Sequence, residues 1–221
     1  MFASVEQRGF LALLNEMLSF KNVVWENLIV AIQETLYMTL VSTFYVFVIG
    51  LILGLFLYLT GPNKVLANRF VNFLLAGIIN VFRSIPFIIL LVLLIPFTRS
   101  IMGTIIGPEG AIPTLVISAA PFYARLVSIA LNEIPSGVIE AAESMGANTF
   151  QVIWKVLIPE SLPALVSGIT VTAIALVGST AIAGVIGAGG LGNLAYQVGF
   201  TRNMHCLLYT SPSPRDRTRS R

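Results

Sequence analysis

The chain has 221 residues and a net charge of +3, with 56% hydrophobic and only 10% charged side chains. A soluble domain carries roughly 25% charged residues, so a mean hydropathy of +0.89 excludes a water-covered globule and points to an all-α, polytopic membrane bundle. The scattered positive charge forms no nucleic-acid footprint, and a pI near 9.2 reflects the Lys and Arg that orient membrane loops.

Residues 4–33 hold Phe10, Leu11, Leu14 and Leu18 at helical spacing, with Glu6, Arg8, Asn15 and Glu16 largely elsewhere. This pattern suits an amphipathic helix lying along the membrane interface with Trp25 as its anchor; a solvated leader is the alternative. Arg8, Asn15, Glu16 and Lys21 interrupt the apolar stretches, which is unlike a cleaved signal peptide. Residues 1–33 are therefore read as one unit, 34–204 as the membrane domain.

The first span is expected over 35–60, an uncharged run long enough for the roughly 20 residues a crossing needs. Gly50 and Gly54 can bring a neighbouring helix close, as ordinary packing or as a dimer seam. Gly61-Pro62-Asn63-Lys64 is a turn that ends the span. The next apolar block, 70–98, is interrupted by Arg83-Ser84-Ile85-Pro86. One main span over 84–98 with a lead-in helix from 70 is expected, against two tightly joined spans. Arg83 either snorkels to an interface or, with Ser84 and Pro86, belongs to a gate or pathway. Pro86 removes a backbone donor and invites a kink.

Spans are also expected over 111–131 and 163–186. Ser118 and Pro121 mark the first, Ser179 and Thr180 the second, among several other small or hydroxyl residues. Lipid rewards no such polarity, so both helices are expected to line the bundle interior, and these four residues join the pathway candidates. Gly187-Ala188-Gly189-Gly190-Leu191-Gly192 matches the dinucleotide-binding glycine pattern by letter only. It lacks the strand, the βαβ unit and the acidic residue that the motif requires, so Gly187, Gly189, Gly190 and Gly192 read as a flexible turn at the pathway mouth. Residues 205–221 turn abruptly to Ser, Pro and Arg; a disordered basic tail is one reading, a non-native linker-like stretch the preferred one.

Between two spans lies the polar segment 132–162, with Glu133, Glu140, Glu143, Lys155 and Glu160. Lipid offers such a segment nothing, so it must work in water, and docking of a soluble partner is the natural task. Its expected form is two short helices. Pro135 starts the first, Gly146 ends it in a left-handed conformation, Asn148 and Gln151 cap the second, and Pro159 terminates it. Ala141 and Ala142 keep the first helix slim. Lys64, Arg69, Arg125 and Lys155 flank or fill the loops on one side of the membrane, with only Arg99 on the other. Positive-inside bias then places the segment in the cytoplasm, with the N-terminus and the glycine turn outside.

Glu140-Ala141-Ala142, three residues, Gly146, nine residues, then Val156-Leu157-Ile158-Pro159 resembles the E-A-A loop of ABC importer permeases. Arg83-Ser-Ile-Pro-Phe-Ile-Ile-Leu-Leu, Ala120-Pro-Phe-Tyr-Ala-Arg125 and the glycine turn are similar to the methionine-importer branch, a small five-span type. The resemblance covers about 34–199. It implies an ATP-driven importer subunit of the bacterial cytoplasmic membrane, working by alternating access as a homodimer. The partners it implies are a cytoplasmic ATP-binding subunit and a periplasmic or lipid-anchored substrate-binding protein. Glu140, Ala141, Ala142, Gly146, Val156, Ile158 and Pro159 would form the ATPase-coupling loop. The family has a fifth span after the glycine turn, where this chain has its tail.

Two other classes compete. An autonomous channel or ion-driven carrier usually holds ionisable groups inside its spans, and no Asp, Glu or Lys falls within the expected spans. A membrane enzyme would need more than the Glu140 and Glu143 carboxylates. His205 and Cys206 stand as the single histidine and cysteine, which leaves no metal-ligand spacing; no catalytic residue, metal or cofactor is expected. Another amino acid or an osmolyte is the alternative cargo to methionine.

Overall fold

The computed structural model describes residues 25–62, 64 and 66–197. Most of the expected N-terminal unit, Asn63, His205, Cys206 and the tail over 205–221 lie outside the described residues. Within them the chain is helical, with no strand. The elements in order are α1 (Trp25–Leu59), α2 (Arg69–Ser84), α3 (Phe87–Leu93), α4 (Ile95–Met102), α5 (Pro108–Asn132), α6 (Ser136–Ser144), α7 (Thr149–Val152), α8 (Ile158–Ala183) and α9 (Gly190–Ala195).

Three continuous helices, Glu26–Leu59, Pro108–Asn132 and Thr149–Ala188, are long and apolar enough to cross a membrane. The expected span over 84–98 is not one helix. α2 and α3 form a pair bent by 104°, and α4 follows after Leu94. The cause is local: Pro86 forces Ile85 out of the helical region, to φ −80° and ψ 123°.

α1 starts ten residues before the expected boundary at Thr35, because nothing between Trp25 and Glu34 breaks a helix. Glu34 therefore belongs to a membrane-length helix, which corrects the expectation that these helices carry no acid. At its other end α1 stops at Leu59, before the Gly61-Pro62 turn, and the Thr60 hydroxyl bonds back to the Phe56 carbonyl at 2.8 Å.

α5 is the central helix, buried along most of its length. Lipid tails are as apolar as leucine, so spans associate through close packing rather than through expulsion of water. The α1–α5 seam shows how. A Cβ on Gly54 would stand 2.5 Å from Val127 Cβ, and one on Gly50 would stand 2.7 Å from Tyr123 Cδ1. Only bare backbone fits, so the glycine pair serves packing within the chain. Tyr123 is buried in this seam, and its hydroxyl donates to the Leu165 carbonyl of α8 at 3.3 Å. The expectation that α5 and α8 both line the interior holds for α5. α8 buries only the face carrying Ser161, Leu165, Gly168, Thr172, Leu176 and Thr180, leaving Ser167 and Thr170 exposed.

Candidate functional site

The polar segment folds into an elbow whose shape follows from local rules. α6 ends in a paired C-terminal bond set: the Gly146 amide donates to Glu143 O at 2.9 Å and the Ala147 amide to Ala142 O at 3.1 Å. Gly146 has φ +84°, the left-handed region that side-chain-bearing residues avoid. Two residues later the Asn148 side chain accepts from the Gln151 amide at 2.9 Å, while Gln151 Oε1 accepts from the Asn148 amide at 3.0 Å. This is a complete capping box.

Pro159 does not terminate the second helix. α7 passes through one π-helical turn, Ile153–Leu157, and Pro159 falls in the first turn of α8. The Ile158 amide reaches back five residues to the Ile153 carbonyl. The ladder is thus already shifted where proline's missing N–H would have broken it. The elbow is continuous with a membrane-length helix, Thr149–Ala188.

Ala142 and Leu157 are buried in the core cluster and Val156 packs against it, while Ile158 is half-buried and Pro159 exposed. Glu140, Ala141, Glu143 and Gly146 face solvent. Beside them stands an apolar rib that the sequence reading missed: Met145 is 83% exposed, Phe150 68% and Trp154 57%. The Phe150 and Trp154 rings lie 6.1 Å apart. Their spacing of four, from α7 into the π turn that follows it, was the available signal. A cleft of about 180 Å³ separates the elbow from the end of α1, lined by Tyr58, Lys64, Glu140, Glu143 and Thr149 among others.

The pathway candidates are scattered. Arg83 is exposed near the end of α2, its guanidinium carbon 5.7 Å from the centre of the Phe122 ring. Ser84 bonds to the Asn80 carbonyl, and Pro86 caps α3. On α5, Ser118 bonds back to the Leu115 carbonyl and Pro121 is buried. On α8, Ser179 and Thr180 bond to Ala175 and Val177. Hydroxyls satisfied by their own helix make no shared polar track within one chain. By contrast, Thr39, Ser42 and Thr43 of α1 hold buried hydroxyl oxygens with no hydrogen-bond partner.

The glycine turn is fastened at three points. Gly187, Gly189 and Gly190 have φ between +74° and +106°. The Gly190 amide donates to the Glu34 carboxylate at 2.6 Å, and the Leu191 amide to the Thr35 hydroxyl at 2.8 Å. The Gly107 amide donates to Gly187 O at 2.9 Å. Gly192 lies where an added Cβ would overlap the Ala181 backbone. The turn and the elbow therefore sit at opposite ends of α8. Among the described residues no group of three or more His, Cys, Asp or Glu gathers to hold a metal.

Residues 47–211 match the model of the "binding-protein-dependent transport system inner membrane component" family. The methionine import system permease protein MetP of Bacillus subtilis is 62% identical over 184 residues, 83% of each chain. The D-methionine transport system permease protein MetI of Escherichia coli K12 is 54% identical over 157 residues, 71% of this chain and 72% of its own. An inward-facing crystal structure of the MetNI methionine ABC transporter superposes with a TM-score of 0.79 at 52% identity, over 80% of this chain and 82% of that one. An all-helical bundle with membrane-length helices and an E-A-A elbow accords with these matches, and the chain belongs to the binding-protein-dependent transport system inner membrane component family, as a transport subunit and not an enzyme.

Proposed function

We propose that the chain is the permease of an ATP-driven methionine importer. The elbow carries this reading: a water-facing pair of helices, rigidly capped, feeds directly into a membrane-length helix. Relatives at 54–62% identity are named for methionine or D-methionine transport, which supports the cargo. An ATP-binding subunit docks on Glu140, Ala141, Gly146 and the Met145–Phe150–Trp154 rib. Ala142 and Val156 tie that surface to the body, and Ile158 and Pro159 open the membrane-length helix that leaves it. A second copy of the chain completes the pathway, and a substrate-binding protein delivers cargo at the end bearing the glycine turn. Reconstitution with the ATP-binding subunit in proteoliposomes tests this. Methionine uptake should require ATP hydrolysis; uptake that persists without it, or preference for another solute, would overturn the reading.

Arg83 belongs to the pathway in this proposal. At 1.5 Å per residue α2 runs roughly 21 Å from Arg69 to Arg83. With Arg69 set at the membrane surface and α2 along the normal, as proposed, Arg83 is carried past the middle of a hydrocarbon core about 30 Å thick. An exposed guanidinium at that depth is costly against lipid and is met by protein, water or an anionic ligand. Facing the second copy, it is placed to pair with the carboxylate of an amino acid. A hydrogen bond to a charged group contributes about 1.5–3 kcal/mol, so Arg83→Gln is expected to lower uptake about ten-fold or more. Normal uptake by an assembled variant would return Arg83 to the snorkelling role.

A further inference from the structure

At the elbow end of the bundle, two adjoining clefts run between the end of α1, the start of α2 and the last turns of α5. One, of about 180 Å³, is lined by Tyr58, Lys64, Asn72, Arg125 and Asn132 among others. The other, of about 510 Å³, continues past Asn72 to Arg69 and Phe73. Three cations from three different elements thus border one groove, and no Asp or Glu is among its lining residues.

The groove is built rather than incidental. The Lys64 ammonium donates to the Tyr58 hydroxyl at 2.9 Å and lies 4.3 Å from the centre of that buried ring, which fixes it at the cleft wall. Asn72 is held by bonds from its amide nitrogen to Leu57 O at 2.8 Å and Thr60 Oγ1 at 3.1 Å. Asn132 is held by a bond to Ser128 O at 2.6 Å. Neither arginine has a carboxylate partner among the described residues. Lys64 also borders the elbow cleft with Glu140 and Glu143, so Arg69 and Arg125 carry most of the unmatched charge. At the outer lip Phe70 is 73% and Phe73 78% exposed, which suits acyl chains and not water.

We propose that this groove binds the headgroup of an anionic phospholipid from the leaflet on the elbow side. The guanidinium groups of Arg69 and Arg125 and the Lys64 ammonium take the phosphodiester, while the acyl chains lie along Phe70 and Phe73. Basic pockets between spans on the cytoplasmic side are suited to such headgroups, and planar guanidinium groups match phosphate oxygens in pairs. The proposal does not depend on the nature of the cargo.

The test is native mass spectrometry of the detergent-purified full chain, titrated with short-chain phosphatidylglycerol, phosphatidylcholine or inorganic phosphate. Phosphatidylglycerol should be retained at one copy per chain and phosphatidylcholine should not. Each Lys or Arg near an anionic surface contributes enough for about five-fold in affinity. Lys64→Gln and Arg125→Gln should each weaken retention by about that factor, and Lys155→Gln, on the elbow, should leave it unchanged. If the substituted chains lose their monodisperse form, Arg69→Gln, at the exposed start of α2, carries the same five-fold expectation. Equal retention of phosphatidylcholine, or undiminished retention by the variants, would overturn the site. Displacement of phosphatidylglycerol by inorganic phosphate at comparable concentration would make it a soluble-anion site and overturn the lipid assignment.

Discussion

Gly54→Leu is expected to open the α1–α5 seam and leave the bundle unstable. The atoms nearest an added Cβ are Val127 Cβ at 2.5 Å and the Ala124 carbonyl oxygen at 2.6 Å. Neither belongs to a flexible side-chain end that can swing aside, so relief requires one helix to move. Overpacking of a core typically costs about 1–3 kcal/mol, and a branched side chain against fixed backbone lies at or beyond the top of that range. For a chain of this size each kcal/mol displaces Tm by about 2–4 °C, which predicts a fall of about 10 °C. Thermal unfolding in detergent, followed by loss of the monodisperse peak, reads it. Gly77→Leu is the control, since an added Cβ there meets nothing within 4 Å. Equal melting of the two variants would show that the seam is not close-packed.

Gly146→Val should sharply reduce ATP-driven uptake while leaving the spans assembled. No atom lies within 4 Å of a Cβ built on Gly146, so the substitution meets no steric obstacle from neighbours. Its cost is conformational: φ is +84°, and the left-handed region costs a residue with a side chain about 1–2 kcal/mol, more when it is β-branched. Leaving that region breaks the two bonds that end α6 and swings α6 away from α7. The expected result is a loss of uptake of about ten-fold or more from a chain that still purifies as a monodisperse species. Gly146→Asn should retain most activity, because asparagine tolerates left-handed backbone. Full uptake by the valine variant would show that the elbow's angle is immaterial.

Both variants probe features that differ in how they could be read from sequence. The elbow was legible almost residue by residue. Gly146, Asn148 and Gln151 act through hydrogen bonds spanning three to five positions, and such bonds depend on residue type and spacing alone. The bend after Ser84 was legible for the same reason, since Pro86 constrains its immediate neighbour. Pro159 misled, because proline's effect on a helix depends on whether the ladder is already shifted. The π turn at Ile153–Leu157 is announced by no local rule.

Composition and local chemistry by themselves determined that this protein lives in a membrane, that its second apolar block bends before Pro86, and that a capped polar elbow joins two of its long helices. Only the tertiary structure decided that Glu34 holds a turn 156 positions away, that Gly50 and Gly54 meet α5, and that Lys64, Arg69 and Arg125 share one groove. The physical reason is range. A cap or a kink is settled within a few bonds of the residue that causes it. Contacts between distant segments exist only once close packing has fixed which helix faces which, and a charge scattered along the chain becomes a site only at that point.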